Sequence, residues 1–214
     1  MADYNSDEER FTAIADFFKR NRNSILFTLA AIVLIAVISI SVNAYKTNQN
    51  NQAADLYDAW FVGMGKETVD LDKTMLDYNA LQNDFPGTGY AGLARLIKAS
   101  QLAREGEIGN SLNEFRALLK VTSGLFGNDV LNSLARINIA RIEVSNENFL
   151  PALEVLEPFN SGSEHAMVYE IKGDALSGLN KTQLALDQYN LALNNMKDES
   201  QKSLLKIKIS QLTQ

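Results

Sequence analysis

The sequence predicts an all-α protein: a single N-terminal transmembrane helix, then an α-solenoid of about four helix hairpins closed by a C-terminal capping helix. Three observations carry this. Ile25–Val42, ILFTLAAIVLIAVISISV, is an eighteen-residue run without a charge. From Asn48 onward the apolar residues recur at helical spacing, and no period-two alternation is long enough for a strand. Small residues recur in that region at a fixed internal distance, the mark of a repeat.

The uncharged window around the apolar run extends from Asn23 to Tyr45. At about 1.5 Å per residue it spans roughly 27–34 Å, which matches a hydrocarbon core of about 30 Å. A lone helix satisfies its own backbone in lipid, and Thr28, Ser39 and Ser41 can bond back to it. Nothing later in the chain is apolar enough to enclose it as a core helix. The organisation is therefore 1–24, a tail; 25–45, the membrane helix; and 46–214, a domain of about 170 residues, ample for a core. Arg10, Lys19, Arg20 and Arg22 precede the span and only Lys46 follows closely. The positive-inside rule then places the N-terminus in the cytoplasm and the domain across the membrane. The competing reading is a cleaved signal peptide, for which Val42-Asn43-Ala44 supplies small residues. The run's length and the twenty-four residues before it favour a retained anchor.

In the tail, Phe11, Ile14 and Phe18 share one helical face, with acids early and bases late as the helix dipole prefers. Two readings stand open: a juxtamembrane helix on the lipid surface, or a docking or degradation signal for a cytoplasmic partner.

Composition excludes several function classes. From Thr47 onward there are 15 Lys+Arg against 21 Asp+Glu, a net −6, which argues against nucleic acid. Cysteine is absent, so there is neither a disulfide nor a thiolate, and the single histidine, His165, excludes nearly every His-based metal or triad scheme.

The expected helices are about Gln49–Gly63, Leu71–Asp84, Gly89–Arg104, Ile108–Thr122, Asp129–Val144, Phe149–Glu157, Ala166–Gly178, Lys181–Asn194 and Glu199–Leu212, with breaks at Phe85-Pro86-Gly87 and Ser161-Gly162-Ser163. Gly173 is followed twelve positions on by Ala185, then by Tyr189 and Ala192. Ala99, Ser111 and Phe115 keep the twelve and the four, as do Ala140, Ala152 and Leu156. This resembles the tetratricopeptide repeat, in which small side chains meet where paired helices cross and a large one wedges against the next hairpin. Lys172, Lys197 and Glu143 depart from that pattern. Unit offsets of 41 and 33 residues place an extra loop near Thr122–Asn128. The degenerate first hairpin, about Gln49–Asp84, caps one end; Leu204, Leu205, Ile207, Ile209 and Leu212 would cover the other.

Tail, span and repeats together resemble the YfgM family, single-span ancillary subunits of the bacterial SecYEG translocon. The likeness lies in that order and in Tyr90-Ala91-Gly92-Leu93-Ala94, Ile139-Ala140-Arg141-Ile142, Lys172-Gly173-Asp174-Ala175-Leu176 and Ile207-Lys208-Ile209-Ser210-Gln211-Leu212. It implies an inner-membrane protein with a periplasmic domain. Its partners would be SecYEG and the membrane-anchored chaperone PpiD, and its role to assist secreted chains after translocation, with unfolded clients a further partner class. The family carries no catalytic motif.

The residues themselves offer no enzyme site and call for no cofactor. Gly87-Thr88-Gly89 lacks the lysine of a phosphate loop. Glu105/Glu107 and Glu143/Glu147 read as solvated acids. His165 beside Glu164 reads as structural. Asn180-Lys181-Thr182 is an isolated sequon, and the span holds no GxxxG. A solenoid's concave groove is lined by the first helix of each pair, which makes Leu93, Leu96, Ser100, Leu134, Ile137, Arg141, Met167, Glu170 and Asp174 the candidate partner-binding residues. The expected function is a membrane-anchored scaffold at the translocon. The alternative is an envelope adaptor for division or cell-wall synthesis, and a peptide-holding chaperone is compatible with either.

Overall fold

The computed structural model describes residues 7–66, 68, 70–124, 127–159 and 166–213. Among them are ten helices and no strand: α1 (Asp7–Arg20), α2 (Arg22–Met64), α3 (Leu71–Asp84), α4 (Gly89–Arg104), α5 (Ile108–Thr122), α6 (Asp129–Ser145), α7 (Phe149–Val155), α8 (Ala166–Gly178), α9 (Thr182–Asn195) and α10 (Glu199–Leu212). The expected break at Ser161-Gly162-Ser163, together with Glu164 and His165, lies outside the described residues. The chain forms two compact units, Met1–Gln52 and Ala53–Gln214.

The first unit holds α1 and the apolar part of α2, one helix long and apolar enough to cross a membrane. None of its most apolar stretch is buried. Thr28 Oγ1 donates to the Ser24 carbonyl at 2.9 Å and Ser39 Oγ to that of Ile35 at 2.8 Å, so both hydroxyls are satisfied within the helix. The expected helix end at Tyr45 and restart at Gln49 are corrected. With no Gly or Pro between Asn23 and Val62, nothing stops α2, which runs 43 residues to Met64.

The second unit is built of hairpins. α4 pairs with α5, α6 with α7, and α8 with α9; residues 53–64 of α2 meet α3 through side chains such as Trp60 on Tyr78, and α10 follows as a cap. The small pairs sit where the paired helices cross. Ala99, Ala140, Ala152, Ala185 and Ser111 are wholly buried, and Ser111 Oγ donates to the Ala99 carbonyl at 2.8 Å. A buried hydroxyl left without that acceptor would cost about 1–3 kcal/mol. Gly173 packs under Tyr189, whose ring a methyl on Gly173 would overlap. Four residues past each second small position, the large side chain reaches the next element. Phe115 joins a core with Ile139 and Ile142 of α6. Leu156 joins Val168, Ile171 and Ala175 of α8. Tyr189, with Ala192, joins Met196 at the end of α9 and Leu205 of the cap. The first hairpin packs Trp60, Tyr78 and Leu81 against Ala91 and Ala94 of α4.

The turns within hairpins share one geometry that the sequence spacing did not announce. Gly106, Glu147 and Asn180 each lie seven residues after the small residue of their repeat, and each has positive φ: 82°, 59° and 58°. In every case the following N–H reaches the carbonyl five residues back: Glu107 to Leu102, Asn148 to Glu143 and Lys181 to Leu176, at 2.8–2.9 Å. The second helices accordingly start without a side-chain cap, at Glu107, Asn148 and Lys181. The starts of α3, α4, α6 and α10 do have one: Asp70, Thr88, Asn128 and Asp198 accept from the N–H three residues on.

Three expectations change. Glu143 is 2% exposed rather than solvated: Arg116 donates to its Oε1 at 2.7 Å and Asn148 to its Oε2 at 2.9 Å, a partnered carboxylate where the repeat pattern wants an apolar residue. Leu204 and Ile207 are exposed, and of the five apolar residues expected to cover the end only Leu205, Ile209 and Leu212 pack into the core with the last hairpin. α7 ends at Val155 rather than Glu157 because the chain tightens into three-residue bonds, Leu156 to Leu153 and Glu157 to Glu154, ahead of Pro158. Lys172, in a slot usually apolar, is accounted for: its ammonium donates to the Phe159 carbonyl at 2.8 Å, and burial pushes its pKa down.

Two predictions test these contacts. Arg116→Ala strands a buried carboxylate and should lower unfolding free energy by about 2–4 kcal/mol, while Glu143→Leu should cost less, because the half-exposed Arg116 can turn to water. Chemical denaturation of both variants checks the order. Glu147→Gly relieves a left-handed residue and should raise stability by up to about 1 kcal/mol, read as an upward shift in melting temperature.

Candidate functional site

On the first helices of the hairpins the nine candidate residues fall in three registers, set by the offsets of 41 and 33 residues. Leu93, Leu134 and Met167 form the first, one each on α4, α6 and α8, and are 37%, 37% and 44% exposed. The second register is uneven: Leu96 is half-buried against the cores on either side, Glu170 is half-buried, and Ile137 belongs to the core with Ala140 and Val168. Ile137 is therefore corrected from groove to packing residue. In the third register, Ser100 donates to the Leu96 carbonyl at 2.8 Å, Arg141 is exposed, and Asp174 is engaged as described below.

Four of the nine residues come together in one cleft of about 400 Å³ between α6, α8 and α10: Arg141, Met167, Glu170 and Asp174. Val144 and Ile171 form its floor, and α10 adds Gln201, Leu204 and Lys208 as a wall. Leu93, Leu96, Ser100 and Leu134 lie outside it. Lys208 decides its electrostatics. The ammonium donates to Glu170 Oε1 at 2.7 Å and to Asp174 Oδ1 and Oδ2 at 2.8 and 2.9 Å, and sits 5.9 Å from the Tyr189 ring centroid. The Tyr189 hydroxyl donates to Asp174 Oδ1 at 2.8 Å. Burial pushes Lys208 down in pKa, but its bonds to Asp174 and Glu170 outweigh that and leave it raised. Burial, then the Asp174 hydrogen bond, raises Tyr189. Both carboxylates are thus occupied, whereas no ion pair engages Arg141 among the described residues.

Lys208 was missed in sequence, though a signal existed. Leu205, Lys208, Ile209 and Leu212 follow at i, i+3, i+4 and i+7, so the lysine interrupts a core-facing stripe and calls for a buried acid. A second polar joint was missed for the same reason: Tyr78 donates to Glu114 Oε2 at 2.9 Å and Arg95 lies 3.7 Å from the same oxygen, tying α3 and α4 to α5. Burial and Glu114 push the Tyr78 hydroxyl up in pKa. Among the described residues no group of three or more His, Asp or Glu is placed to hold a metal.

The tetratricopeptide repeat-like domain family matches residues 15–214. The chain belongs to that family. The tetratricopeptide repeat-like match takes in the apolar helix as well as the hairpins, and the fold implies protein–protein interaction. No curated protein matches the chain.

Lys208→Met should loosen α10, costing about 1–2 kcal/mol after allowance for partial exposure. The sign of its pH dependence follows from a pKa raised on folding. The clamp contributes fully below the ordinary lysine value of about 10.4 and is lost as pH rises through the higher folded value. Thermal melts from pH 6 to 12 should be flat to about pH 10 and then fall, less steeply in Lys208→Met.

Proposed function

We propose that this chain is a single-span, membrane-anchored interaction scaffold of the YfgM type. Its N-terminus lies in the cytoplasm and its hairpin domain in the periplasm of a bacterial inner membrane. It binds; it does not catalyse. It stands beside the SecYEG translocon and a PpiD-like chaperone, and assists secreted chains after translocation. The observation that carries the reading is one chain holding both an exposed apolar helix of membrane-crossing length and a hairpin solenoid with an open cleft. The family match across both, and the basic excess before the span, support it. Anchoring raises the effective concentration at a membrane partner, so weak cleft contacts suffice.

Crosslinking the full-length protein in intact membranes, followed by gentle-detergent purification, should recover the SecY channel with a periplasmic chaperone. Arg141→Glu reverses the cleft charge that no ion pair engages among the described residues. It should lower chaperone recovery about tenfold, a loss near 1.4 kcal/mol, at an unchanged melting temperature. Glu170 is unsuited to the same test, because its reversal would break the Lys208 clamp. Recovery of division or cell-wall proteins without the channel would leave the scaffold standing and overturn the secretory role.

A further inference from the structure

α1 exposes a broad apolar face a few residues before the span. Phe11, Ile14 and Phe18 lie along one side of the helix and are 74%, 54% and 55% exposed. Phe17 widens that side, 60% exposed, with its ring edge-on to that of Phe18 at 6.0 Å. Asp16 lies on the opposite side and is exposed. No core cluster of the described residues includes any of the four apolar side chains.

Chain connectivity names the occupant. α1 ends at Arg20 and α2 begins at Arg22. Phe18 lies seven positions before Ile25, the first residue of the apolar run, about 10 Å along a helix. A face tethered that close to a span meets lipid at an effective concentration that a soluble partner does not reach. Charge agrees, since Lys19 and Arg20 in the last turn of α1 and Arg22 beyond it suit anionic headgroups. The helix is interrupted at Asn21, the one residue between α1 and α2.

We propose that α1 lies in the membrane interface, with Phe11, Ile14, Phe17 and Phe18 at the headgroup–acyl boundary and its basic end on anionic lipid. This rests on the reading that α2 crosses the bilayer.

The test uses full-length protein in vesicles of phosphatidylethanolamine and phosphatidylglycerol with bromine near the top of the acyl chains. Phe18→Trp and Asp16→Trp are compared, with the signal of Trp60 in the unsubstituted protein subtracted. Either insertion orientation presents α1 to the same lipid. Emission of the Phe18→Trp probe should be quenched at least twofold and shifted to the blue, and that of Asp16→Trp little changed. Adding Phe11→Ser and Ile14→Ser to Phe18→Trp should reduce the quenching. Protein that fails to float with the vesicles overturns the span and the inference with it. Protein that floats while both probes respond equally overturns the inference and leaves the span standing. Protection of the Phe18 probe that appears only after soluble extract is added assigns the face to a protein and overturns the lipid reading.

Discussion

Paired helices can approach closely only where the side chains between them are small, and the hairpin domain is arranged around that restriction. Ala99 with Ser111, Ala140 with Ala152 and Gly173 with Ala185 let the helices of three hairpins meet. Four positions on, a large residue packs over the crossing of its own hairpin and also reaches the next element. Phe115 and Leu156 in this way couple one hairpin to the next, and Tyr189 couples the last hairpin to the cap. The chain then has to reverse direction within three residues, which puts Gly106, Glu147 and Asn180 in the same left-handed turn. The crossing, the wedge and the turn are three consequences of one steric condition.

Polar side chains are used at the joints that apolar packing leaves incomplete. Glu143 with Arg116 joins α6 to α5, Tyr78 with Glu114 joins α3 to α5, Lys172 joins α8 to the segment after α7, and Lys208 joins α10 to α8. A solenoid contacts itself only between neighbours, so each joint controls the angle of one step. The last joint has a second effect. Lys208 neutralises acids that would otherwise face the cleft and, among the described residues, leaves Arg141 outside any ion pair, so the residue holding the cap in place also sets what the cleft presents.

Helix positions were legible from residue pattern because punctuation coincides with helix ends: Asp70, Thr88, Asn128 and Asp198 are short polar residues that accept from the backbone. Where punctuation was missing the reading failed, as at Tyr45, where the helix runs on. Repeat spacing assigned nine residues to one groove face, and the structure brings four of them, Arg141, Met167, Glu170 and Asp174, to one cleft. Ile137 occupies the same register as Glu170 yet is buried. Spacing assigns a face to a residue, and the neighbouring helix decides whether that face is covered.

The amino-acid pattern by itself determined the all-helical class, the single apolar helix of membrane length, the repeat spacing and the small residues at the crossings. All of these are set by neighbours within about a dozen positions along one or two helices. Only the tertiary structure decided that Glu143 is buried against Arg116, that α10 turns Lys208 inward onto Glu170 and Asp174, and that Leu204 and Ile207 stay exposed. Those contacts join residues 27 to 38 positions apart, or depend on the angle at which the cap docks. Local periodicity carries no information on that angle, because it is fixed by how the side chains of two hairpins interlock.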